Sequence, residues 1–267
     1  MRLLTGVVLA PALLVLLSIP ATTQRPNGGQ REGAPMVMHD EDGGTREILE
    51  SIVITPLPNA PFTATLETEW VKYLYTGGTI TLVNRRRLAR DKTGRFYQER
   101  WWLVPKNGKM ESRMTAVQIA DPVRHLRYGC MMQNPEHVCT QQYYAPPYTT
   151  TIQFSGPPTG PLPNDTGYAN HEELGKQNLV GVETVGTRDT TIYNPGVFGN
   201  DAEVKVEREY WYSPQLGINL LSKRSDPRFG SQTFTVTELT LGEPDPQLFD
   251  LPKGFRLAEA RPRASNR

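Results

Sequence analysis

The sequence predicts a mainly β protein: one large curved antiparallel sheet, a half-barrel or open barrel meander, with little helix cover. Three observations carry this expectation. From Pro61 onward apolar and polar side chains alternate with a period of two rather than 3.6. The 23 glycines and 23 prolines punctuate these runs with turn chemistry. Few segments carry the apolar stripe of a long amphipathic helix.

The first residues read differently. Met1-Arg2 supplies a positive charge, Leu3 to Ile19 is apolar apart from Thr5, Gly6, Pro11 and Ser18, and Pro20-Ala21-Thr22-Thr23 suits cleavage. This is the three-part layout of a secretory signal. Residues 1–23 are assigned to it, with the cut after Ala21 or Thr23. The apolar run is shorter than the roughly 20 residues of a span and contains Pro11, so no stable transmembrane anchor is expected after processing. The absence of a cysteine behind the run closes the route to N-terminal lipidation. The expected location is secreted or periplasmic. Residues 24–46 form a polar, flexible leader, with Arg25 to Gln30 offering nothing to bury and His39 to Gly44 acidic.

Residues 47–258 are expected to form one β-rich domain. Ala64, Leu66 and Trp70 share one face of the first strand, and Thr63, Thr65, Glu67 and Glu69 the other. Thr76-Gly77-Gly78 turns the chain into Thr79–Arg90, and Asp91-Lys92-Thr93-Gly94 turns it back into Arg95–Leu103. Lys106-Asn107-Gly108-Lys109 marks another reversal. Ala116–Ile119 and Val123–Tyr128 flank Asp121-Pro122, and Val138–Tyr144 returns. Residues 145–168 are a Pro/Gly-rich excursion, of a length that is often functional. Beyond it, Leu174 to Gln177 leads into a strand from Leu179 to Thr187 that continues to Tyr193. Glu203–Tyr212, Ile218–Ser225 and Ser231–Leu241 follow, separated by Ser213–Gly217 and Asp226–Gly230. Asp245–Phe249 suits one helical turn, Leu251–Phe255 closes the domain, and residues 259–267 are a basic tail.

Charge is balanced, with 29 Lys+Arg against 28 Asp+Glu. A nucleic-acid binder normally shows a clear basic excess, so no nucleic-acid partner is expected. Cys130 and Cys139 are the two cysteines, and eight residues lie between them. In an oxidising compartment they are expected to form a disulfide across a hairpin tip that turns at Asn134-Pro135.

The stretch Pro61–Glu69, the hairpin Arg86–Phe96 and the segment from Ser225-Asp226-Pro227-Arg228 to Leu241–Phe249 resemble an uncharacterised family of secreted bacterial β-rich proteins. That resemblance implies no activity. The curled sheet and the closing Leu248-Phe249-Asp250-Leu251-Pro252 are more distantly similar to the periplasmic lipoprotein-carrier half-barrel, a likeness of architecture that does not by itself imply function.

Two constellations bear on binding. The basic hairpin carries Arg85, Arg86, Arg87, Arg90, Lys92, Arg95 and Arg100. It suits an anionic head group, or it is a set of solvated edge charges paired with Glu67, Glu69 and Glu99. Alternation puts successive arginines on opposite faces. The aromatics, Trp70, Trp101, Trp102 and Trp211 foremost, suit the wall of an acyl or glycan site, or serve as core and cross-strand pairs. The ligand-binding candidates are Trp70, Trp101, Trp102, Trp211, Arg87 and Arg95. The histidines His39, His125, His137 and His171 lack metal-site spacing. No Gly-x-Ser-x-Gly elbow occurs, and carboxylates such as Glu67, Glu69 or Asp91 give only weak support to an envelope hydrolase. No catalytic residue, metal or cofactor is assigned. The expected partner is a lipid or another amphipathic envelope ligand held on the curved sheet. The alternative is a structural or protein-interaction domain with a filled core.

Overall fold

Thirteen strands make one sheet in the computed structural model, which describes residues 56–144 and 158–258. The expected signal, leader and tail, and residues 145–157 of the excursion, lie outside them. The strands are β1 (Phe62–Tyr73), β2 (Thr79–Arg90), β3 (Phe96–Lys106), β4 (Lys109–Asp121), β5 (Leu126–Met131), β6 (Val138–Tyr143), β7 (Gly160–Pro161), β8 (Gly167–Leu179), β9 (Val182–Tyr193), β10 (Val204–Ser213), β11 (Ile218–Asp226), β12 (Gly230–Leu241) and β13 (Arg256–Leu257). No α-helix occurs among the described residues. Two 3-10 turns do, at Pro163–Asp165 and Pro246–Phe249. The spatial order is β13-β6-β5-β4-β3-β2-β1-β12-β11-β10-β9-β8-β7. The sheet is therefore open, curved and antiparallel, save for the short parallel pair β13–β6.

Most reversals fall where turn residues stand in the sequence, and two do not. The strand expected at Val123 begins at Leu126 instead. The Asp121 carboxylate accepts the backbone N–H groups of Val123 and Arg124 at 3.0 and 2.9 Å and holds the intervening residues in a turn. In the second half, Gly167–Leu179 is one continuous strand, where the sequence suggested a lead-in followed by a strand from Leu179. The chain reverses at Val180-Gly181, both at positive φ (45° and 86°), as a two-residue hairpin turn requires. Leu174 is the extra residue of a bulge in this strand, between the Glu173–Thr187 and Gly175–Gly186 pairs, and bulges are favoured near sheet edges.

Directly paired residues share a face. Phe62, Leu66 and Thr68 on β1 therefore share a face with Arg90, Arg86 and Asn84 on β2, and with Leu241, Val236 and Phe234 on β12. This face curls onto itself. Phe62, Leu66 and Leu88 pack in one cluster with Phe96 from β3, Ala120 from β4 and Val182 from β9. Leu216, Ile218, Leu220 and Phe234 complete it, each at most 1% exposed. Burying each such side chain is worth roughly 1.5–3 kcal/mol, so this cluster is the main source of curl.

A second cluster lies on the opposite face of β2–β6. Ala89, Tyr97, Val117 and Ile119 pack beside Cys130 and Cys139. Phe249, Leu251 and Phe255 from the closing segment cover them. The two cysteines face each other across β5–β6 and are joined as a disulfide.

Arg90 departs from the sequence expectation that the hairpin charges are solvated. It is fully buried at the end of β2. Its Nε and Nη2 donate to the Ala60 carbonyl at 3.0 and 2.8 Å, and Nη2 also donates to the Leu216 carbonyl at 2.6 Å. The guanidinium stacks 5.0 Å from the Phe62 ring centroid. Burial lowers its pKa to about 10, so it remains a cation at neutral pH. Arg86 is also buried, at 6% exposure. Replacing Arg90→Met strips two carbonyls of their donor while keeping an apolar filler. The expected loss of unfolding free energy is about 3 kcal/mol, seen as a lowered urea midpoint. An unchanged midpoint would show that the carbonyls find other donors.

Candidate functional site

The sheet parts between β2 and β3. Every residue of β1 pairs with β2, and β3 pairs with β4 along its whole length apart from a bulge. Yet β2 and β3 pair only over Leu88–Arg90 with Phe96–Gln98. The register of β3 on β4 shifts between Arg100 and Trp101, a bulge in β4 that raises the local twist of this pair. Thr115, the extra residue, donates its hydroxyl to the Arg100 carbonyl at 3.1 Å.

Side chains span the opening in place of the ladder. Asn84 Nδ2 donates to the Trp101 carbonyl at 2.9 Å, and its Oδ1 accepts from Ser112 Oγ at 2.6 Å. Arg86 Nη1 donates to Gln98 Oε1 at 3.1 Å. The result is an open depression of about 550 Å³, with Val83, Arg85, Arg87, Glu99 and Trp101 on its walls and Thr65 beside them.

Glu99 organises the wall. Its Oε2 accepts from the Trp101 indole N–H at 2.8 Å and from the Arg87 backbone N–H at 3.2 Å, and its Oε1 accepts from the Tyr97 hydroxyl at 3.0 Å. Burial, then the neighbouring Glu99 charge, raises the Tyr97 pKa, so the phenol stays a donor. Tyr97, Glu99 and Trp101 stand at i, i+2 and i+4 on one strand face, which is the period that lets them meet. Arg85 is held by Glu67 through Nε at 2.7 Å, as the sequence pairing of these charges suggested. The Arg87 side chain is exposed.

Of the six residues singled out from the sequence, only Arg87 and Trp101 come together here. Trp70 lies on the other face, 8% exposed, packed with Leu82 and Leu103, its indole N–H donating to the Phe229 carbonyl at 3.3 Å. Trp102 alternates away from Trp101 and lies opposite Arg113 on β4. Arg95 is bound to Asp91 at 2.6 Å, with its guanidinium 4.8 Å from the Phe249 ring centroid. Trp211 is on β10, five strand spacings from β3, about 24 Å along the sheet. Its ring lies over Gly186, where an added Cβ would come within 2.6 Å of it.

Trp211 repeats the Trp101 arrangement two residues after a glutamate. Its indole N–H donates to Glu209 Oε1 at 2.9 Å, and Glu209 also holds Arg188 at 2.9 Å and Lys223 at 3.1 Å. Burial would raise the Glu209 pKa, but the hydrogen bonds from Trp211, Arg188 and Lys223 outweigh it and hold it at about 2. This is a structural ladder of alternating charge across β9, β10 and β11. A third polar cluster, not legible in the sequence, joins His171 Nδ1 to Asp189 at 2.6 Å and Nε2 to Glu173 at 3.2 Å. Hydrogen bonds to Asp189 and then Glu173 raise its pKa.

No family model matches the chain, and no curated protein matches it. The resemblance to an uncharacterised secreted family finds no support there. Among solved structures, a chain of the Pseudomonas aeruginosa MucA/MucB complex aligns at 13% identity and TM-score 0.37, over 76% of this chain and 62% of that one. This chain thus spans about three fifths of that partner's length. The Mycobacterium tuberculosis lipoprotein LppX aligns at 10% identity and TM-score 0.30, over 70% of this chain and 88% of its own. A putative outer-membrane lipoprotein-sorting domain from Vibrio parahaemolyticus aligns at 10% identity and TM-score 0.18, with the same coverages. Likenesses this loose add no argument to the geometry.

Two outcomes follow from these hydrogen bonds. Glu99→Gln weakens the indole anchor, so Trp101 emission is expected to shift to longer wavelength and its acrylamide quenching to rise; identical spectra would show the anchor to be irrelevant. The folded pKa of Glu209 lies below its ordinary value, so its stabilisation is present above about pH 4.5 and is lost as pH falls through about 2. Glu209→Gln is expected to cost about 1–2 kcal/mol at pH 7. In urea titrations the gap from the wild type should close toward pH 2, and a constant gap would contradict the assignment.

Proposed function

We propose that this chain is an extracytoplasmic, non-enzymatic binding module that takes an amphipathic ligand bearing an anionic group in the depression between β2 and β3. The observation that carries the reading is the meeting of an exposed apolar wall with guanidinium groups. Val83 is 45% exposed, and the Trp101 ring beside it is oriented by Glu99. Arg85 and Arg87 border the same opening. An apolar surface with a few fixed polar groups suits a ligand with one oily and one charged end, and guanidinium favours carboxylate or phosphate. The Cys130–Cys139 disulfide supports an oxidising compartment, in keeping with the secretory reading of residues 1–23.

One observation favours the alternative of an interaction domain with a filled core. Phe62, Leu66 and Leu88 on the curled face are 0% exposed, so their own neighbours fill the space that an oily groove would need there. This moves the binding surface to the outer depression.

Short-chain phosphatidylglycerol and phosphatidylcholine of equal chain length separate the two readings. The expected result is a saturable change in tryptophan emission with the anionic lipid and a weaker one with the zwitterion. Arg87→Gln is expected to weaken the anionic response about tenfold, the worth of one charge-assisted hydrogen bond, and Trp101→Ala to abolish the signal. No saturable response to either lipid would leave the interaction domain as the reading.

A further inference from the structure

Four turns at one end of the sheet carry exposed apolar side chains. Strands β1, β3, β9 and β11 run the same way, so the turns β1–β2, β3–β4, β9–β10 and β11–β12 share that end. Tyr73, Leu74 and Tyr75 stand on the first, Met110 beside the second, Phe198 on the third and Phe229 on the fourth. Tyr73 is 60% exposed and Tyr75 fully so. At the other end Val123, Val180 and Leu241 stand singly on separate turns or strand ends, and Tyr143 stacks on His125 at 5.8 Å.

Contacts join the four tips into one rim. Leu103, near the end of β3, packs with Trp70 and Leu82 beneath the β1–β2 turn, which sets the first two tips side by side. The Trp70 indole donates to the Phe229 carbonyl at 3.3 Å. A Cβ on Gly230 would come within 2.1 Å of the Val71 carbonyl oxygen, so the β11–β12 turn lies flush against β1. Arg228 on that turn stacks 4.3 Å from the Phe198 ring centroid, which brings in the β9–β10 turn. Packing beneath the rim therefore holds its exposed groups together, and a connected apolar patch of this kind marks an interaction surface.

We infer that this rim docks on the surface of an anionic lipid bilayer, an activity beyond the binding of one amphipathic molecule in the β2–β3 depression and not dependent on it. Tyrosine rings with lysines beside them suit the head-group layer, where the ring meets acyl chains while hydroxyl and ammonium reach water and phosphate. Charge complementarity favours anionic head groups. Residues 70–80 carry Lys72 and no carboxylate. Residues 104–113 carry Lys106, Lys109 and Arg113 against Glu111 alone, which pairs with Lys106 at 2.8 Å. Asp201 and Glu203 stand on the β9–β10 turn, so the cationic bias belongs to the first two tips and these lead the approach. Turn backbone cannot shed its hydration, so the contact is shallow and the sheet meets the bilayer end-on. The β2–β3 ladder is closed at its far end, over Leu88–Arg90, so the depression opens toward this rim.

Co-sedimentation of the exported, processed chain with mixed phosphatidylglycerol–phosphatidylcholine vesicles, against phosphatidylcholine alone, tests the rim. Binding to the mixed vesicles is expected, and weaker binding to the zwitterion. Tyr75→Ser removes a fully exposed side chain. It is expected to weaken partition about tenfold, the worth of roughly 55 Å² of buried ring, with its thermal midpoint unchanged. Lys109→Gln is expected to cost about fivefold on the mixed vesicles and nothing on phosphatidylcholine. Val123→Ser, at the other end, keeps wild-type binding. The inference is overturned if neither vesicle binds, or if Tyr75→Ser and Lys109→Gln partition as the wild type does. A dimer in sedimentation velocity that Tyr75→Ser dissociates, with no vesicle binding, makes a second copy the occupant and also overturns it. Loss of vesicle binding in Arg87→Gln with Tyr75→Ser unaffected would move the bilayer contact to the depression, removing the rim and leaving the ligand reading in place.

Discussion

One guanidinium ties the two arms of the sheet together. Arg90 ends β2 in the first arm, and its donors reach the carbonyl of Ala60 before β1 and that of Leu216 between β10 and β11 in the second. A charge at 0% exposure is costly unless its hydrogen bonds are made, so the curl that brings Leu216 to Arg90 and the burial of Arg90 require each other. The apolar cluster of Phe62, Leu88, Ile218 and Phe234 grows around that bond. What remains accessible is set by this packing. The curled face is filled in its middle, while the outer face opens where β2 and β3 part.

Much of the sheet was legible in the sequence, because it depends on local patterns. Alternation in Phe62–Tyr73 and Val204–Ser213, and the turns at Asp91–Gly94 and Asn107-Gly108, place strands without knowledge of their partners. The disulfide was legible from the two cysteines and the spacing between them. The Gly167–Leu179 strand was not, because His171-Glu172-Glu173 and Lys176-Gln177-Asn178 carry no apolar alternation. Its pairing with β9 holds it extended, which is tertiary context overriding local preference.

The site was half legible for the same reason. Trp101 and Arg87 stood out as residue types, but what unites them is a ladder that stops after Gln98, and no local pattern announces where pairing ends. Glu99 was visible only as a counter-charge, although its i±2 relation to Tyr97 and Trp101 was available from strand periodicity. The buried arginines were misjudged because hydropathy reads Arg90 as surface, whereas its burial depends on carbonyls 30 and 126 residues away in sequence.

The strand order has a consequence for how the chain assembles. Each arm is a meander of neighbours, β1 to β6 on one side and β12 back to β7 on the other, so either can zip up from local turns. The join at the centre is between the first and last long strands, Phe62 against Leu241, with Thr65 meeting Glu238 across 173 positions. That junction has no partner until β12 has been made. During synthesis β1 therefore waits with one edge bare, and the middle of the sheet closes late, after both meanders that flank it are available.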